Sequence, residues 1–207
     1  PGNARRRYVE AIATQEKLRD EAEQSAFNRL AGQEGMADKG IVACGIGYNY
    51  VMETYPEGCP YPLLKISQYP LPVETLTRLA ESCKEILVVE DGQPFVEEQL
   101  KGILPSKYVV KGRLSGELPR TGELTPDNVR QALGLSCEPV YAAAQNVVPR
   151  PPALCKGCGH RDVYDALNKV AAEYPDAKIF GDIGCYTLGA LPPFRTLSSC
   201  VDMGASI

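Results

Sequence analysis

The densest chemistry in this sequence is Cys155-Lys156-Gly157-Cys158-Gly159-His160: two thiols at knuckle spacing, two glycines and the one histidine of a 207-residue chain. Glycines at these places free the backbone to turn, so that both sulfurs can face one ion. One pair is half a zinc site, and the only cysteines downstream are Cys185 and Cys200, each single. An iron-sulfur cluster accommodates a close pair plus distant singles better than zinc does. The plain alternative is a glycine-shaped loop lined by unligated thiols. His160 enters a helix directly after the pair, and beside a cofactor an imidazole is suited to move a proton near neutral pH.

Gly181-Asp182-Ile183-Gly184-Cys185 is a second candidate. It follows a strand and belongs at its carboxyl end, where open parallel sheets bind ligands. Successive amides in such a turn form a concavity for an anion such as a diphosphate. Asp182 either ligates a divalent cation there or caps the next turn. Gly45-Ile46-Gly47 also follows a strand, but Tyr50 stands where a dinucleotide fingerprint needs its third glycine, so a tight structural turn is the better account.

The elements that position these residues read as alternating strands and helices. Ala4 to about Leu30 is expected to be one long amphipathic helix, with Tyr8, Ile12, Leu18, Ala22, Phe27 and Leu30 loosely on one face. Strands are expected at 40–44, 63–67, 85–90 and 107–111, and helices at 48–55, 72–83 and 94–103. Such alternation predicts an α/β fold, a parallel sheet with helices on both faces. Thr125-Pro126-Asp127 starts a helix to about Leu133, the threonine capping and the proline in the first helical position. The Pro- and Ala-rich stretch to Leu154 reads as a connector. After it come a helix from His160 or Arg161 to Tyr174, a strand at 177–182 and a short one at 200–203.

Bulk properties exclude some classes. A net charge of -4 and a pI near 5.2 argue against a nucleic-acid binder, and the Arg5-Arg6-Arg7 run is followed at once by acidic residues. No apolar run is long enough for a membrane span or a signal peptide, so a cytoplasmic location is expected. Eight cysteines in a chain of this size and pattern suggest thiols, a metal or a cluster before disulfides.

Three motifs in order, from Arg150 to Arg161, from Gly181 to Gly189 and from Cys200 to Ile207, resemble the large subunit of indolepyruvate:ferredoxin oxidoreductases. Gly45 to Val51, Leu64-Lys65-Ile66, Tyr69-Pro70-Leu71-Pro72 and Leu87 to Asp91 are similar to that family's middle domain, so the likeness spans nearly the whole chain. Lys156 stands where the family often has proline, and Ser198-Ser199 where Asp-Thr is common.

The resemblance implies a leading helical segment (1–35), a three-layer, parallel, transketolase C-terminal-like middle domain (36–135), a linker (136–154) and the first half of a thiamine-diphosphate-binding domain (155–207). It implies oxidative decarboxylation of an aryl pyruvate such as indolepyruvate, with thiamine diphosphate, magnesium, iron-sulfur clusters, coenzyme A and ferredoxin. A smaller subunit is an expected partner, and a homodimer is a way to cover an open sheet edge. His160, from its place beside the cysteine pair, is the candidate catalytic residue. The resemblance implies a cofactor cradle of Asp182, Ile183, Gly184, Cys185, Tyr186, Met203, Gly204 and Ala205, and metal ligands Cys155, Cys158 and Cys185. The chain is expected to be an inactive piece of a longer protein, since the metal motif and the activating glutamate are not in it. A pyruvate or branched-chain enzyme of the same superfamily, and a non-catalytic zinc-knuckle binding module, remain as alternatives.

Overall fold

The computed structural model describes residues 2–32, 35–137, 144, 146–148 and 151–200, with only the backbone of Cys200. It divides into two compact units, Pro1–Val140 and Tyr141–Ile207.

The first unit opens with α1 (Gly2–Glu23), followed by β1 (Arg29–Ala31), β2 (Ala37–Cys44), α2 (Ile46–Thr54), β3 (Leu63–Ile66), α3 (Val73–Glu81), β4 (Cys83–Val89), α4 (Phe95–Ile103), β5 (Val109–Lys111) and α5 (Pro126–Ala132). The strands form one sheet in the order β1-β3-β2-β4-β5. All its pairings are parallel except β1 against β3, which is antiparallel.

Side chains of a strand alternate between faces, and here each alternate set is apolar. Ile41, Ala43, Leu87 and Val89 join Val51 of α2 and Val129 of α5 on one face. Val42, Ile86 and Val88 join Leu76 and Leu79 of α3 and Val96 and Leu100 of α4 on the other. The result is the three-layer α/β arrangement expected from the alternation of elements.

Two departures concern the N-terminal region. The leading helix stops at Glu23, and of its apolar residues only Ala22 is buried, while Tyr8, Ile12 and Leu18 stay exposed. Phe27 lies beyond the helix, and Leu30 lies on β1, an edge strand that the helix-forming composition concealed. Side chains hold this region in place. Asn28 Oδ1 accepts from the amides of Ser67 and Gln68 at 2.8 and 2.9 Å. Glu23 caps α3 by accepting from the amides of Glu74 and Thr75 at 2.7 and 3.2 Å, a carboxylate at the positive end of a helix.

Two charged side chains buried inside the first unit are paired, while Glu117 Oε2 is buried without a partner. Glu97, fully buried, accepts from Lys101 Nζ at 2.7 Å and the Leu114 amide at 2.9 Å. Arg113, also buried, donates to the Glu90 carbonyl at 3.1 Å and to Asp91 Oδ1 at 3.1 Å. Thr125 caps α5 as its type and the following proline predict, with Asn128 returning the bond.

The second unit contains α6 (Gly159–Ala171), β6 (Phe180–Gly181), a 3-10 segment (Cys185–Ala190) and β7 (Ser199–Cys200), with β6 and β7 parallel. The strand expected over 177–182 is therefore confined to two residues. The one expected at 200–203 begins a residue earlier, and its remainder lies outside the described residues.

Candidate functional site

In the second unit, α6 and the 3-10 segment form the frame. Tyr164 of α6 donates from its hydroxyl to the Tyr186 carbonyl, and Gly189 lies so close to the Tyr164 ring that any side chain there would collide with it. Asn168 Nδ2 donates to the Phe194 carbonyl at 2.9 Å, and the Arg161 guanidinium lies 5.4 Å from the Phe194 ring centre. These contacts hold the Gly181–Tyr186 turn against the start of α6.

A cavity of about 340 Å³ results, lined by His160, Val163, Tyr164, Leu167, Ile179 to Asp182, Tyr186 and Leu197. His160 meets the Tyr186 ring edge-on at 5.8 Å, and its Nδ1 is 3.4 Å from Cys158 Sγ. Asp182 Oδ1 is buried without a hydrogen-bond partner. Such an atom costs about 1–3 kcal/mol unless something satisfies it. The capping alternative for Asp182 is met by another side chain: Thr187 Oγ1 accepts from the Gly184 amide at 2.9 Å and donates to the Asp182 carbonyl at 3.2 Å.

The sequence-predicted residues thus fall into three sets. His160, Asp182 and Tyr186 share one cavity. Ile183, Gly184 and Cys185 are exposed beside it. Met203, Gly204 and Ala205 lie outside the described residues.

Cys155 and Cys158 occupy one turn, with the Cys158 amide donating to the Cys155 carbonyl at 3.2 Å. Among the described residues no three of His, Cys, Asp and Glu gather closely enough to hold a metal ion. Cys155, Cys158 and Cys185 are thus not gathered into one donor set in this structure.

A second cavity, of about 490 Å³, lies in the first unit and was not foreseen from the sequence. It opens at the carboxyl ends of β2, β3 and β4, between Cys44, Gly45, Ile66, Tyr69, Glu90 and Phe95. β3 and β4 flank β2 on opposite sides, so this is the point where the chain reverses direction across the sheet, the usual ligand crevice of such folds. Gly45 turns there with φ 54°, a left-handed conformation suited to glycine. Gly47 lets α2 approach the sheet, for a Cβ there would stand 2.5 Å from the Val89 carbonyl oxygen. Burial pushes the Cys44 thiol and the Tyr69 hydroxyl up to about 12, and it raises Glu90 against the opposing effect of the Val96 and Glu97 amides that it accepts from. Its thiol and phenol are therefore neutral at physiological pH. The signal that could have located the cavity was topological, the reversal of strand order.

No family model matches the chain. It is similar along its whole length to indolepyruvate oxidoreductase subunit IorA from several archaea. Identity is 36% over 224 residues to the Thermococcus kodakarensis protein, 35% over 220 to that of Methanothermobacter thermautotrophicus and 33% over 221 to that of Archaeoglobus fulgidus. The chain spans 34%, 36% and 35% of those proteins. Among solved structures, 2-oxoglutarate:ferredoxin oxidoreductase from Magnetococcus marinus aligns over 54% of this chain and 20% of its own, with TM-score 0.42 and 19% identity.

Proposed function

We propose that this chain, homologous along its whole length to about a third of indolepyruvate oxidoreductase subunit IorA, supplies one wall of a thiamine-diphosphate site and the α/β domain preceding it in an indolepyruvate:ferredoxin oxidoreductase. The observation that carries this reading is the full-length similarity. It covers the Cys155–Arg161 and Gly181–Gly189 motifs together with the sheet domain. The reaction is oxidative decarboxylation of an aryl pyruvate, with coenzyme A taking the acyl group and ferredoxin the electrons. The smaller subunit of the same enzyme completes the assembly, in a cytoplasmic complex.

Thiamine diphosphate, when bound, supplies the carbanion and electron sink for decarboxylation. The residues present fit part of such a site. The unpartnered Asp182 Oδ1 suits a cationic neighbour, a magnesium ion or the positively charged thiazolium, and would repel a bare diphosphate. The exposed turn Ile183-Gly184-Cys185 is the part of the wall suited to the diphosphate, with the Tyr186 hydroxyl donating to the Ile183 carbonyl at 3.3 Å. His160, which lines the same cavity as Asp182, is the residue proposed to hold or move a proton at the reacting carbonyl. With no three ligands gathered, no electron-transfer step is routed through Cys155, Cys158 and Cys185, and the iron-sulfur clusters are assigned to other parts of the longer protein.

The test uses the complete enzyme with its small subunit, following coenzyme A-dependent ferredoxin reduction. Indolepyruvate is expected to outperform pyruvate and branched-chain 2-oxoacids, and Asp182→Asn to raise the thiamine diphosphate and magnesium requirement more than the substrate KM. A preference for pyruvate moves the chain to a sister enzyme. An unchanged cofactor requirement removes Asp182 from the site.

A further inference from the structure

We propose that Cys155 and Cys158 form a reversible disulfide, a redox modification site at the start of α6. Three observations meet at this pair. The Cys158 amide donates to the Cys155 carbonyl at 3.2 Å, closing a four-residue turn with Gly157 at φ 76° in its third place. A turn of this kind holds its end Cα atoms within about 7 Å, and a disulfide spans roughly 4.4–6.8 Å, so the bridge needs side-chain rotation and little backbone movement. Cys155 is exposed and Cys158 half-buried, an accessible thiol beside a sheltered one. The Cys158 sulfur already contacts His160 Nδ1 at 3.4 Å, which keeps it at the α6 end of the turn.

The first unit supplies the contrast. Burial pushes Cys44 up to about 12 and raises Cys59 and Cys83, so these stay thiols that a mild oxidant leaves alone. Cys185 is exposed like Cys155, but among the described residues the backbone closes no such turn between it and a second cysteine.

The step balances with a low-molecular-weight disulfide of the glutathione type as oxidant. The Cys155 thiolate attacks one sulfur of the oxidant, breaking its S–S bond and releasing one small thiol. The Cys158 thiolate then attacks the Cys155 sulfur of this mixed disulfide and expels the second. Two protein thiols are oxidised, one small disulfide is reduced, and the two protons leave on the two small thiols. Closure withdraws both sulfurs from any metal and fixes the turn that leads into His160.

The experiment takes the complete reduced enzyme, with its small subunit, through glutathione buffers of increasing oxidised fraction, traps free thiols by alkylation and maps the peptides by mass spectrometry. The peptide spanning Cys155–Cys158 is expected to lose two hydrogens, resist alkylation and recover with dithiothreitol, with Cys44, Cys59 and Cys83 unchanged. Cys158→Ser should leave a lasting glutathione adduct on Cys155, while Cys185→Ser should close the bridge as the wild type does. Helical circular dichroism checks that each variant folds. The proposal is overturned if both cysteines alkylate fully in the most oxidising buffer, if the wild type stops at the mixed disulfide, or if a co-purifying metal protects the pair.

Discussion

The two units of this chain treat apolar side chains differently. In the first, both faces of the sheet are covered, and Val42, Leu64, Ile86 and Leu87 are 1% exposed or less. In the second, only Leu154 and Tyr164 are buried apolar residues among those described, while Val170 and Phe180 remain 57% and 58% exposed. A parallel pair of two-residue strands has too little ladder and too little covered area to hold itself together. Glu97 and Arg113 are buried with charged and backbone partners, whereas Asp182 keeps a buried oxygen with none, as Glu117 Oε2 does in the first unit and Thr196 Oγ1 in the second. Closely covered apolar faces mark the first unit as scaffold, and the second unit, with fewer buried apolar side chains among the described residues, carries the candidate site.

The largest effect to look for is in amide exchange. Local opening ranges from about zero up to the global unfolding free energy, according to how much covered structure must be undone. Amides of Ile41, Val42, Leu87 and Val88 are expected at the upper limit, and those of Phe180 and Gly181 near the lower. Comparable protection in β4 and β6 would break the contrast between the units.

The sequence displayed the first unit well, because period-two apolar runs and the Thr125-Pro126 start depend on neighbours a few residues apart. β2, β3, β4, α3, α4 and α5 each appear within a few residues of their expected bounds. The edge strand β1 was hidden because three residues carry no period, and what holds it is the long-range grip of Asn28 on Ser67 and Gln68. The end of α1 was hidden for a related reason: Glu23 is an ordinary helix former that here caps a different helix. In the candidate site, the residue types of His160 and Asp182 pointed to chemistry, but that they share a cavity is fixed by Tyr164 and Gly189, whose roles no local pattern reveals. The cavity between Gly45, Tyr69 and Glu90 follows from strand order, which sequence spacing does not specify.

A smaller effect separates two helix glycines. A methyl group at Gly47 would meet the Val89 backbone oxygen at 2.5 Å, and neither partner can rotate away. Gly47→Ala is therefore expected to cost about 1–3 kcal/mol through overpacking. Gly159, in the first turn of α6, has nothing within 4 Å of the same position. Gly159→Ala is expected to gain about 0.5–1 kcal/mol by reducing the entropy lost on folding. Urea midpoints decide: a neutral Gly47→Ala would mean that the α2 and β4 contact is looser than the packed face implies.

The finest test asks whether the polar network of the first unit is closed to water. Burial raises Glu90 above its ordinary value of 4.5, partly offset by the amides of Val96 and Glu97 and by Arg113. Below 4.5 the carboxyl is protonated in folded and unfolded chains alike, and its titration contributes nothing. As pH rises through that value the unfolded chain releases its proton first, which favours unfolding, until the folded group also ionises. The wild type is therefore expected to lose stability relative to Glu90→Gln between 4.5 and the raised folded value, after which the gap is constant. The glutamine keeps only one carbonyl for the two α4 amides, so it starts at a disadvantage, and the quantity to follow is the change in the gap with pH. Paired urea midpoints measured from acid to neutrality give it directly. A gap that does not move, or that moves in favour of the wild type as pH rises, would mean that water reaches Glu90 through the cavity at the strand ends, and the first unit would then be less closed at its ligand crevice than at its core.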